Sequence, residues 1–125
     1  PVAKIGGLAH IMLPDSTQAR PSDNPAKFAD TCLPLMMAEM IRLGAVKNRL
    51  WAKIAGGAQM FSFTNTTDIM RVGERNSEAV KLVLKKLGLK VAAEDCGGTY
   101  GRTVELKLDS GAFRIKTIDR GEKEL

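Results

Sequence analysis

The sequence has 125 residues, 44% hydrophobic and 26% charged, with 19 basic side chains against 14 acidic ones for a net charge of +5. A chain of this size builds one domain with its own core, and its composition excludes collagen-like, mucin-like and disordered chains. No apolar run approaches the roughly 18 residues that a membrane-spanning helix needs. An isoelectric point near 9.4 suits an acidic partner, but the basic residues are dispersed. The densest run, Lys81 to Lys86, follows a helical pattern beside Glu78 and reads as a solvated helix face. Aromatic and basic residues do not interleave as a base-stacking surface requires, so a nucleic-acid-binding domain rests on charge alone.

In chain order, Ile5 to Leu13 is short, apolar and closed by Pro14-Asp15, which predicts a buried strand. Asp15 to Pro25 is rich in Ser, Asp, Asn and Pro and predicts a long loop. A helical period begins at Ala26, with Phe28, Leu33, Leu35, Met36, Met40 and Leu43 as its apolar stripe. Gly44 ends that helix, and Pro34 either kinks it or marks its true first turn. Leu50 to Ala55 alternates as a strand broken by Gly56-Gly57. After a polar stretch at Thr64 to Asp68, a second helix is predicted from Asn76 or Ser77 to Leu87, with Asn76 as its cap and Gly88 as its stop. Leu89 to Ala93 is the next strand. Thr103–Leu108 and Ala112–Ile118 alternate around Asp109-Ser110-Gly111 as a hairpin. Arg120 to Leu125 is charged and predicted to fray. Interspersed helices and strands with a terminal hairpin define a single α+β or α/β domain with a mixed sheet.

Three pairs, Gly6-Gly7, Gly56-Gly57 and Gly97-Gly98, follow or interrupt apolar segments, where glycine permits sharp turns or close backbone approach. None belongs to a dinucleotide or Walker phosphate loop. His10 shares its face of the first predicted strand with Leu8 and Met12. It reads as a rim or core histidine, or as a general base if a nucleophile lies within reach. Cys32 and Cys96 are 64 positions apart, with no CxxC spacing and a single histidine in the chain, so neither a zinc site nor a disulfide framework is indicated. Reduced, cytoplasmic cysteines are expected. Cys32 lies in a helical stretch and is expected to pack, while Cys96 sits in a glycine-rich loop beside Glu94 and Asp95. Those carboxylates raise a thiol pKa, which opposes a His10–Cys96 dyad. Arg75 and Arg102 stand near turns, suited to a substrate carboxylate or to locking loops.

Taken in order, Gly6-Gly7-Leu8-Ala9-His10-Ile11-Met12-Leu13-Pro14, Lys27-Phe28-Ala29-Asp30, Ala52 to Phe61, Val72-Gly73-Glu74-Arg75-Asn76 and Ala93 to Arg102 closely resemble the CheD family of bacterial chemotaxis. Its members are chemoreceptor glutamine deamidases. The resemblance spans about residues 1–118, leaving 119–125 as a charged tail. It implies an α+β domain with mixed, largely antiparallel sheets flanked by two main helices, akin to the deamidase toxins of the cytotoxic necrotising factor type. It also implies hydrolysis of receptor glutamine amides to glutamate and ammonia by a cysteine nucleophile and a histidine base, without metal or cofactor, in the cytoplasm.

His10 falls on the family's catalytic histidine. The family's nucleophile lies in a Gly-Ser-Cys segment ahead of the histidine strand, and neither Cys32 nor Cys96 matches it. The expectation is therefore a chain that begins just after its nucleophile and is inactive by itself. The resemblance further implies binding to the CheC phosphatase through Phe61, beside Met60 and Gly56-Gly57; packing into the core is the other reading of Phe61. An interaction module without chemistry is the main rival function.

Overall fold

The computed structural model describes residues 4–14, 16–17, 24–58 and 72–125, with the side chain of Val72 left aside. The described residues form two α-helices and five strands, the strands arranged as a parallel pair and an antiparallel triple. Helix α1 spans Ala29–Arg42 and α2 spans Val72–Lys86. Strands β1 (Trp51–Gly56) and β2 (Lys90–Cys96) run parallel. Parallel neighbours need a crossover, and the segment containing α2 supplies it. Strands β3 (Thr103–Leu106), β4 (Phe113–Thr117) and β5 (Gly121–Glu124) form the antiparallel sheet in sequential order. The α+β class expected from the sequence is the observed one.

Local chemistry accounts for the helix boundaries. A short 3-10 turn at Pro25–Lys27 leads into α1, with the Asn24 side chain accepting from the Ala26 N–H at 3.0 Å. Pro34 lies inside α1, at its sixth residue, where its missing N–H leaves the Asp30 carbonyl without the usual helical donor. Both helices end in the same left-handed glycine motif. Gly44 has φ +114° while Gly44 N–H donates to Ile41 and Ala45 N–H to Met40, each at 3.0 Å. At the end of α2, Gly88 N–H donates to Lys85 at 3.1 Å and Leu89 N–H to Leu84 at 2.9 Å.

Three expectations are corrected. Ile5 to Leu13 is not a strand: among the described residues it makes one isolated parallel bridge, Leu13 to Phe28. Extended apolar sequence becomes a strand only when a neighbour satisfies its backbone, and the described neighbours reach only its last two residues. The second helix begins at Val72, four residues before its expected cap, so Asn76 lies within the helix. Its first turn consists of Val72, Gly73, Glu74 and Arg75, where the glycine hides the helical period. Residues Gly121–Glu124, expected to fray, pair along β4 from Thr117 opposite Gly121 to Arg114 opposite Glu124. Backbone pairing there overrides a polar composition.

Apolar burial concentrates at Phe28, Ala29, Cys32 and Leu33 on one side and at Phe113 and Ile115 on β4, with Leu84 from α2. Leu35 and Leu43, expected in the α1 stripe, are exposed. The two sheets are joined through polar contacts. Lys53 Nζ on β1 donates to the carbonyls of Gly111 at 2.9 Å and Leu125 at 2.5 Å. Arg102 and Lys123 both reach Asp95 on β2.

Candidate functional site

A cavity of about 650 Å³ lies among the 5–11 segment, α1, β1, α2 and the β3–β4 hairpin. His10 borders it together with Met36, Met40, Asn76 and Ser77. The alternation inferred for the His10 segment survives the loss of its strand: His10 is exposed, as are Leu8 (62%) and Met12 (54%). His10 is therefore presented rather than buried, as a general base must be to meet a substrate. The segment is tied down at its end, where the N–H groups of Met12 and Leu13 donate to the Lys27 carbonyl at 2.9 and 3.1 Å and Ala29 N–H donates to Leu13 at 3.1 Å. On its other side, Asn76 Nδ2 donates to the Met12 carbonyl at 3.0 Å.

All three glycine pairs border the cavity or the loop beside it. Gly6 and Gly7 lie under the side chains of Leu108 and Met36, which would have to shift to admit a Cβ. Gly57 has φ +69°, and a Cβ there meets the Gly73 carbonyl at 2.9 Å; a Cβ on Gly73 in turn meets the Gly57 carbonyl at 2.7 Å. This mutual contact seats the start of α2 against the end of β1, and it requires glycine on both sides. The Gly56 carbonyl accepts from Gly97 N–H at 2.8 Å, stitching the second and third pairs together.

Cys96 ends β2 beside that stitch. Burial, above all, pushes its thiol pKa up; Ser77 lowers it by hydrogen bonding, and Glu94 raises it further. The expected direction holds, but the expected cause shifts from carboxylates to burial. Asp95 is not a contributor, being committed elsewhere. The depression of about 390 Å³ beside Cys96 is lined by Glu74, Glu78 and Glu94 with Lys81, surroundings that do not favour a thiolate. Burial also raises the Cys32 thiol, packed in α1. Among the described residues, no hydrogen bond joins His10 to either cysteine, and no thiol–imidazole pair is assembled.

Arg102 is the lock anticipated for a turn arginine. Its Nε donates to Asp95 Oδ2 at 2.9 Å, its Nη2 to the Gly97 carbonyl at 2.9 Å and its Nη1 to the Gly56 carbonyl at 3.3 Å. The Lys123 ammonium sits 2.7 Å from the other Asp95 oxygen. Hydrogen bonding to Lys123, then to Arg102, holds the Asp95 carboxyl below its ordinary pKa against the opposing effect of burial. The guanidiniums of Arg102 and Arg120 lie 4.4 and 4.6 Å from the Tyr100 ring. The sequence pointed to Asp95 only as a neighbour of Cys96, and not to Lys123 or Arg120; Asp95 and Lys123 meet from separate strands, and no local spacing signals that pairing. Met60 and Phe61 lie outside the described residues. Among those described, no group of three His, Cys, Asp or Glu residues is placed to hold a metal ion, and no helix is long and apolar enough to cross a membrane.

An α+β domain with an exposed histidine at a glycine-lined cavity is the class this geometry defines. The family model described as CheD chemotactic sensory transduction matches residues 12–117. The chain belongs to the CheD family. It is 49% identical over 123 residues to the probable chemoreceptor glutamine deamidase CheD of Desulfitobacterium hafniense, covering 98% of this chain and 76% of that one. It is 48% identical over 125 residues to the chemoreceptor glutamine deamidase CheD of Halalkalibacterium halodurans, covering 99% and 77%. With the probable CheD of Desulforamulus reducens it shares 52% identity over 118 residues, covering 94% and 71%.

Proposed function

We propose that this protein is a chemoreceptor glutamine deamidase acting in the cytoplasm, with His10 as its acid–base group. The observation that carries the reading is near-half identity, over nearly the whole chain, to relatives bearing that name. The exposed position of His10 at the rim of the large cavity is consistent with it.

The chemistry divides amide hydrolysis into two steps. A thiolate attacks the glutamine side-chain carbonyl carbon, forming a C–S bond and a tetrahedral oxyanion. His10, having taken the thiol proton, returns it to the departing nitrogen, and ammonia leaves as the C–N bond breaks. Water, deprotonated by His10, then attacks the thioester; the C–S bond breaks, and glutamate and the thiol are regenerated. The resemblance assigns the thiol to a Gly-Ser-Cys segment ahead of the histidine strand, outside these 125 residues. The raised pKa of both Cys32 and Cys96 supports seeking it elsewhere. Docking of CheC at Phe61 and Met60 belongs to the same reading, as an expectation from the resemblance.

Ammonia release from a chemoreceptor cytoplasmic domain tests this with the full-length protein. Turnover is expected for the wild type and a fall of at least about 10²-fold for His10→Ala, the scale of general acid–base catalysis. A wild type that binds receptor but releases no ammonia favours the interaction module. Undiminished turnover in His10→Ala removes His10 from the mechanism.

A further inference from the structure

Resting on the deamidase reading, we propose that Asn76 is the positioning residue for His10, holding the histidine segment in register from the first turns of α2. Among the described residues the segment has no strand partner along residues 4–11, and its backbone bonds to Lys27 and Ala29 cluster at Met12 and Leu13. Asn76 supplies another tie, from α2. Its Nδ2 donates to the Met12 carbonyl at 3.0 Å across 64 positions of sequence. Met12 lies two residues from His10 on the same face, so a fixed Met12 peptide limits where the imidazole sits.

The way this contact is made sets it apart from an ordinary stabilising bond. Only the NH2 side of the amide can face a carbonyl, so the amide orientation is dictated and Oδ1 must point away. There Oδ1 is buried, and no donor among the described residues reaches it. The net gain from one neutral hydrogen bond is no larger than the penalty for leaving a buried acceptor unsatisfied. Stability alone therefore gives no reason for an asparagine here. Asparagine is also a poor residue for a helix interior, since its side chain competes with the helix backbone. A residue that is unfavourable locally, yet donates to the backbone two residues from the candidate base, fits placement for function.

The platform is rigid where it needs to be. Three residues before Asn76, Gly73 is packed against Gly57 and Ala58 without space for a Cβ. One residue after Asn76, Ser77 Oγ donates to the Gly73 carbonyl at 3.1 Å. Asn76 thus transmits the position of the β1–α2 junction to the histidine segment, an arrangement in which a secondary-structure element, rather than a loop, sets the reactive group.

The test uses the full-length protein with Asn76→Ala and Asn76→Asp, read by ammonia-release kinetics and by an NMR titration of the His10 imidazole, the one histidine in these 125 residues. Asn76→Ala is expected to lower kcat by roughly 10–100-fold with KM within about twofold, because about 1 Å of misplacement has effects on that scale. Asn76→Asp preserves the shape but, when ionised, presents an acceptor to an acceptor. It also brings the first carboxylate into a cavity whose charged lining residues are otherwise Arg49, Lys53, Arg102 and Lys107. A carboxylate there favours the charged imidazole, so the NMR midpoint measured for His10 in Asn76→Asp is expected above that measured in wild type. Should Asn76→Ala not fold, Asn76→Asp carries both readouts. A kcat within twofold of wild type in both variants overturns the proposal, as does an unmoved His10 midpoint in Asn76→Asp. A wild type without turnover overturns the deamidase reading instead, and the titration still decides the place of Asn76.

Discussion

The His10 segment and the stretch from the end of β2 to Arg102 border the same cavity but are held by different kinds of force. The histidine segment has a few neutral bonds at one end, and its side chains at 8, 10 and 12 face outward. In the other region charges are locked against one another: the Arg102 and Asp95 side chains are only 3% and 11% exposed, and the guanidinium also satisfies two carbonyls. A charged group committed to so many partners has no capacity left for a substrate. His10, by contrast, is exposed and stays accessible to a substrate. The contrast separates the residue suited to chemistry from those suited to holding the cavity together, although each region carries a glycine pair in sequence.

Substitutions that exchange these characters sharpen the comparison. The largest expected effect outside the histidine is on stability. Arg102→Ala leaves Asp95 with Lys123 alone and strips donors from Gly56 and Gly97, and should cost about 3 kcal/mol, the lower end for removing one partner of a buried pair. Urea unfolding measures it; a loss under 1 kcal/mol would mean that the cluster is ornamental and the two sheets are held otherwise.

A smaller effect follows from pH. Because the Asp95 carboxyl is held below its ordinary pKa, its contribution is fully present above the unfolded value, about 4, and is lost as pH falls through the lower folded value. The urea midpoint should therefore drop between about pH 4 and pH 2 more steeply in wild type than in Asp95→Asn. Equal slopes in the two proteins would remove Asp95 as the linked group.

The smallest expected effect is from Cys96→Ser, which should leave ammonia release by the full-length protein within about twofold. Its half-buried thiol, raised in pKa and bonded to Ser77, is poorly suited to attack. Loss of turnover in that variant would restore the His10–Cys96 pair and erase the distinction between the two regions.

Much of the architecture was legible because it depends on neighbours in sequence. The β3–β4 hairpin is written in its alternation around Asp109-Ser110-Gly111, and Gly44 and Gly88 stop the helices as their backbone freedom allows. The start of α2 was not legible, because Gly73 interrupts the helical signal for a reason visible only across the fold: its contact with Gly57. Strand β5 was hidden for a related reason, since Gly121-Glu122-Lys123-Glu124 has no apolar alternation and is defined by the β4 edge beside it. For the candidate site, the ordered motifs around His10 pointed to the histidine and the family. They did not distinguish Asn76 as a helix cap from Asn76 as a clamp on Met12.

Length, composition and local pattern by themselves determined a single α+β domain, its hairpin, its helix stops and, through the order of its motifs, its family. These rest on short-range sterics and periodicity, which act within a few residues. Tertiary structure alone decided which polar residues meet: Asp95 with Arg102 and Lys123, Asn76 with the Met12 carbonyl, and Cys96 with Ser77. Such pairings join residues up to 64 positions apart, and their strength depends on burial and geometry that a linear pattern does not encode.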